Sequence, residues 1–145
     1  MNISKWKQSG NTYIWKYKSD PRNYPGWHLN ADKKGCDSLI ELLSSLSNED
    51  SGLKRTISLS KPDSRQYNVP TSQYKVKAEA ELVIIKSSHD NDFHFNYDSN
   101  KLTLNIGSLQ IPAFVRGLVD VANGRGDYCI GDEGQELWFW WATKS

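Results

Sequence analysis

The stretch His89-Asp90-Asn91-Asp92-Phe93-His94 gathers two imidazoles and two carboxylates, the donors that zinc and similar ions take. Its spacing matches no ligand pattern, and half of it reads as a turn. If His94 shares a strand with Phe93 and Phe95 it points away from them, into solvent. The expectation is a solvated hairpin start and no metal. General acid–base work needs carboxylates held in a cleft with shifted pKa values. Glu79 and Glu81 share a strand face with Lys75 and Lys77, which reads as an exposed, charge-balanced surface. A nucleophile would need Cys or Ser beside a positioned His. Cys36 and His28 are close in sequence, but nothing else supports the pairing. Gly124-Arg-Gly-Asp127 carries Gly-x-Gly between a helix and a strand, the reverse of the order a phosphate-cradling loop requires. It reads as a tight connection. The chain is expected not to be an enzyme and to use no cofactor.

Aromatic and basic residues interleave near the N-terminus: Trp6, Tyr13, Trp15, Tyr17 and Trp27 among Lys5, Lys7, Lys16 and Lys18. Bases stack on aromatic rings while lysines meet phosphates, so this stretch is a candidate single-stranded nucleic-acid surface. The charge is lopsided in the same sense. Residues 1–35 hold seven basic residues and two acidic ones, +5, so with a total of +1 the remainder carries −4. Against the nucleic-acid reading, strand aromatics are usually core and the total charge is small.

The elements that must position these groups follow from periodicity. Residues 12–18 read as a strand, and 20–26, with two prolines and a glycine, as a loop. Trp27-His28-Leu29 is a short strand. Residues 34–47 place Leu39, Ile40, Leu42, Leu43 and Leu46 at helical spacing, with Asp32 or Asp37 to cap the start. Residues 53–59 alternate as a strand, and 60–72, with Pro62 and Pro70, form a long polar loop. Residues 74–86 alternate throughout and read as the longest strand, despite the helix formers inside it. Two segments around Phe95 and Leu104 flank Asp98-Ser-Asn-Lys101 as a hairpin. Residues 111–122 form a second helix, started by Pro112 and stopped by Asn123-Gly124. A last hairpin joins 128–130 to 137–141 through Gly131-Asp132-Glu133-Gly134-Gln135. Its second arm is apolar on both faces, which predicts a central strand.

The order is strands, helix, four strands, helix, two strands. Strands cluster between helices, so the expected class is α+β with a mainly antiparallel, curved sheet or sheets and two helices. At 145 residues the chain is expected to form a single domain. No stretch reads as a signal peptide or a membrane span, and a cytoplasmic location with both cysteines reduced is expected.

Gly126-Asp-Tyr-Cys-Ile-Gly131, followed by Leu137-Trp-Phe-Trp-Trp141, in a domain of this size without a catalytic set, resembles the small immunity proteins of bacterial contact-dependent growth inhibition and related polymorphic toxin systems. The resemblance implies a stoichiometric inhibitor that binds one cognate toxin C-terminal domain, often a nuclease, and masks its active site. The strand order is also similar to the Whirly-type single-stranded-DNA-binding fold. Turn chemistry nominates exposed anchors for such a partner: Tyr24 and Trp27, Asp90 and Asp92, Asp132 and Glu133.

Overall fold

A computed structural model describes residues 3–17, 26–63, 76–99, 101–125, 128–132 and 134–140. A short 3₁₀ turn, Ile3–Lys5, is followed by β1 (Thr12–Tyr17), β2 (Trp27–Ala31), α1 (Lys33–Leu46), β3 (Lys54–Ser58), β4 (Val76–Ala78) and β5 (Glu81–Lys86). Then come β6 (Phe93–Asp98), β7 (Lys101–Ile106), α2 (Ile111–Ala122), β8 (Tyr128–Ile130) and β9 (Leu137–Phe139). The α+β class expected from the sequence is what folds.

The strands form two sheets, a five-stranded one in the order β4-β1-β2-β9-β8 and a four-stranded one in the order β3-β5-β7-β6. Most pairings are antiparallel, but β2 with β9 and β5 with β7 run parallel. The apolar second arm of the last hairpin lies inside its sheet, between β2 and β8, as its two apolar faces required. Leu137 and Phe139 look into the main core, while Trp138 and Trp140 join Trp15 and Tyr17 in a second cluster.

The main core lies between sheets and helices, with Leu42 and Leu43 of α1, Phe114 and Leu118 of α2, and Leu82 and Leu104 of the smaller sheet among its buried members. Helix α2 rests directly on β9 at Gly117. A Cβ there would sit 2.7 Å from the Phe139 ring, so only glycine lets the helix come this close. Of the two candidate caps, Asp32 starts α1. It is in extended conformation, its Oδ1 accepts from the Gly35 N–H at 2.8 Å, and its two carboxylate oxygens also take the Asn11 backbone and side-chain N–H groups. Asp37 instead pairs with Lys33 on the exposed face at 3.4 Å. Helix α1 has no basic residue in its last turn. The buried Lys86 of β5 fills that role, its Nζ donating to the carbonyls of Leu46 (3.0 Å), Ser47 (3.2 Å) and Glu49 (2.9 Å).

The long strand expected over residues 74–86 is two strands in different sheets. Val76–Ala78 pairs with β1 and Glu81–Lys86 pairs with β3. Between them the Glu79 N–H donates to the Ile14 carbonyl and the Ala80 carbonyl accepts from the Leu59 N–H, so the chain turns a corner without losing its bonds. Glu79, expected on an exposed face, is buried there, while Glu81 stays exposed.

The N-terminal segment ties the layers together. The Trp6 indole N–H donates to the Ser38 carbonyl (2.8 Å), and Arg55 lies over the Trp6 ring while donating to the Ile3 and Trp6 carbonyls (3.2 and 3.0 Å). The Gln8 side-chain amide donates to the Ser58 carbonyl (2.7 Å) and accepts from the Ser58 N–H (2.8 Å), on the edge strand β3. Among the described residues no helix is long and apolar enough to cross a membrane.

Candidate functional site

Edge strand β6 passes across one end of the larger sheet, and a cleft of about 220 Å³ opens where they meet. Phe95 and Tyr97 of β6 and Trp27, the first residue of β2, form its aromatic wall. Trp27 lies 6.3 Å from Phe95 and 6.0 Å from Tyr97, centroid to centroid. Lys16 of β1 and Lys77 of β4 stand at the mouth, and Gly134 and Gln135 of the β8–β9 turn complete it.

Backbone bonding holds this end rigid. The Trp27 N–H donates to the Glu136 carbonyl at 3.0 Å. Gln135 Oε1 accepts from the Phe95 N–H at 2.6 Å, so a side chain from the turn satisfies a backbone group of the edge strand. Gly131 makes the turn possible. Its φ of +99° suits glycine alone, and a Cβ would lie 2.2 Å from the Gln135 carbonyl oxygen.

The two lysines are cross-strand partners: Lys16 is opposite Lys77 in the β1–β4 register, so both look to the same side. Lys77 Nζ stands 3.7 Å from the Tyr97 ring centroid and Lys16 Nζ 5.6 Å from that of Trp27. Each ammonium therefore sits against an aromatic face. Among the described residues neither meets a carboxylate at ion-pair distance. Glu79 is the nearby acid. Burial pushes its carboxyl above the usual range, against the pull of Lys77 and of a hydrogen bond from Tyr97.

Of the nominated anchors, Trp27 needs correction. It was expected to be exposed by its loop, yet it is 7% exposed, because as the first β2 residue it turns its ring inward against β6. It reaches the cleft as part of the wall. Asp90 and Asp92 lie in the β5–β6 connection, where they accept from the Ser108 hydroxyl (2.9 Å) and the Ser87 hydroxyl (2.6 Å). Neither lines the cleft. Asp132 is exposed on the β8–β9 turn and its carbonyl accepts from the Gln135 N–H. Tyr24 and Glu133 lie outside the described residues, as do Lys18, Trp141 and most of the polar loop expected over residues 60–72.

The other constellations disperse. His94 is exposed as expected, its Nε2 3.1 Å from Asn96 Oδ1. Among the described residues no group of three or more His, Cys, Asp or Glu is placed to hold a metal ion. Cys36 belongs to the main core, and its thiol is pushed up to about 12 by burial and then by Asp37 and Asp32. His28 lies on the opposite face of β2, stacked between Trp15 and Trp140, and its Nδ1 accepts the Trp140 indole N–H at 2.9 Å. The two never meet. Arg125 of the Gly-Arg-Gly-Asp stretch pairs with Asp120 at 3.3 Å. Of the proposed base-stacking rings, Trp6, Trp15, Tyr17 and Trp27 are all buried, and Tyr13 is half-buried.

Sequence reasoning missed Lys77, Phe95 and Tyr97. The alternation in 93–97 places Phe95 and Tyr97 on one face, but nothing local says which sheet end that face meets. Comparison with family models, with curated proteins and with solved structures gave no match to this chain.

Proposed function

We propose that this chain is a protein-binding inhibitor of the immunity type, which neutralises a bacterial toxin domain by covering its active site and carries out no chemistry itself. One observation carries the reading: the cleft at the sheet junction is rigid, basic and aromatic, and too small for a whole ligand. Pockets for free small molecules run to roughly 300–1,000 Å³. At about 220 Å³ this one accommodates one or two side chains of a larger partner. Aromatic and cationic groups on a fixed frame are the residue types that dominate binding energy at protein interfaces. The rival, a single-stranded nucleic-acid module, needs accessible ring faces, and the N-terminal tryptophans that would provide them are core residues.

The test is co-expression with the C-terminal domain of whatever large exported protein is encoded immediately upstream. A one-to-one complex, with growth restored, is the expected result. Absence of both complex and toxicity overturns the reading.

A further inference from the structure

We infer that the cleft between β6 and the β1–β4 edge is an anchor pocket for an acidic side chain of the protein partner, its carboxylate clamped between Lys16 and Lys77. The proposal rests on the inhibitor reading for the identity of that partner, and adds the chemistry by which the partner is held.

The first support is the pairing itself. Lys16 and Lys77 are directly opposed across two antiparallel strands, which sets their Cβ atoms about 5 Å apart, and like charges in that position repel. Elsewhere on the sheets the chain satisfies such cations with its own acceptors: Lys86 takes three carbonyls and Arg55 takes two. At Lys16 and Lys77 it provides none among the described residues. Glu79, held toward its neutral form by burial, is a poor counter-ion. An incoming carboxylate relieves the repulsion of both lysines at once.

The second support is shape. Both ammonium groups rest against ring faces, over Tyr97 and Trp27. A nucleobase would have to displace them to stack, whereas a carboxylate meets them where they are. Phe95 and Trp27 give the stem of a glutamate or aspartate an apolar wall. The volume excludes a nucleotide by the same size argument that excludes other free ligands.

The experiment is an NMR titration of the isotope-labelled chain, following the Trp27 indole N–H and the Phe95 amide. The probes are a capped Glu-Ala-Glu peptide, its Gln-Ala-Gln counterpart and adenosine monophosphate. The glutamate peptide is expected to give saturable shifts at both reporters, and the glutamine peptide none. The double variant Lys16→Gln/Lys77→Gln should weaken the glutamate peptide by about tenfold or more. Both lysines lie at the cleft mouth, and an unchanged spectrum elsewhere establishes that the variant is folded. The proposal is overturned if the glutamate peptide shifts neither reporter, if the double variant binds it equally, or if the nucleotide binds more tightly. The titration needs no toxin, so the two readings separate. A toxin complex alongside a silent titration removes the pocket assignment alone, and a positive titration without any toxin complex removes the inhibitor reading alone.

Discussion

Lys86 and the Lys16–Lys77 pair are cations on strands of the same chain, treated in opposite ways. Lys86 is buried with its ammonium against three carbonyls at the end of α1, so its charge is used up by the fold. Lys16 and Lys77 are aimed across a cleft at one another, backed by aromatic rings and given no carboxylate among the described residues. The contrast shows how a charge kept for a partner differs from one kept for stability: burial and acceptors in the first case, exposure and like-charged company in the second.

The strongest way to break this comparison is at Lys86. Lys86→Met keeps the stem and removes three charge-assisted bonds, leaving helix-end carbonyls short of a donor. About 3 kcal/mol should be lost, with a fall in Tm on the order of 10 °C by calorimetry. If the variant melts like the parent, Lys86 is no more structural than the other two.

The opposite end of the same helix sharpens the point. Asp32→Ala removes the cap and should cost about 1–2 kcal/mol in urea unfolding. Burial works to raise the Asp32 carboxyl, but the Asn11 and Gly35 hydrogen bonds and the Lys34 charge hold it below the usual range. A lowered carboxyl stabilises above its unfolded pKa and loses that contribution as pH falls through the folded value. The parent should therefore lose stability toward acid more steeply than Asp32→Ala does.

Glu79→Gln should have a smaller effect of opposite sign. A raised carboxyl stabilises below its unfolded pKa, and that contribution is lost as pH rises through the folded value. The glutamine variant should thus match or exceed the parent in stability near neutrality, with a flatter profile from acid to neutral pH. A loss of stability at neutral pH would show that the carboxylate is a needed counter-ion for Lys77.

Smallest of all is the expected change in folding stability for Lys16→Gln/Lys77→Gln, within about 0.5 kcal/mol and toward higher stability, since repulsion is removed. A clear destabilisation would place these lysines with Lys86.

Much of this architecture was legible. The leucine spacing in α1 and the Pro112 start of α2 located both helices within a residue, because each is amphipathic against one core. The two apolar faces of Leu137–Phe139 announced a central strand. The break at Glu79–Ala80 was not legible, since alternation reports which way side chains point and not which sheet the strand belongs to. The same limit hid the cleft. Lys16 and Lys77 are sixty-one positions apart, and only the β1–β4 register makes them neighbours. Trp27 misled because its prolines and glycine describe the preceding loop, while its own ring obeys the inward face of β2.

The pairing of Gln8 with Ser58 has a consequence for how the molecule behaves in a crowd. Strand β3 is an outer edge of its sheet, the kind of border on which a second chain can add itself and start a growing stack. A primary amide, donor and acceptor together, mimics one step of a neighbouring strand and then stops, because it belongs to a side chain with no further step to offer. The first ten residues thus serve as a terminator for polymerisation as well as a strap across the core.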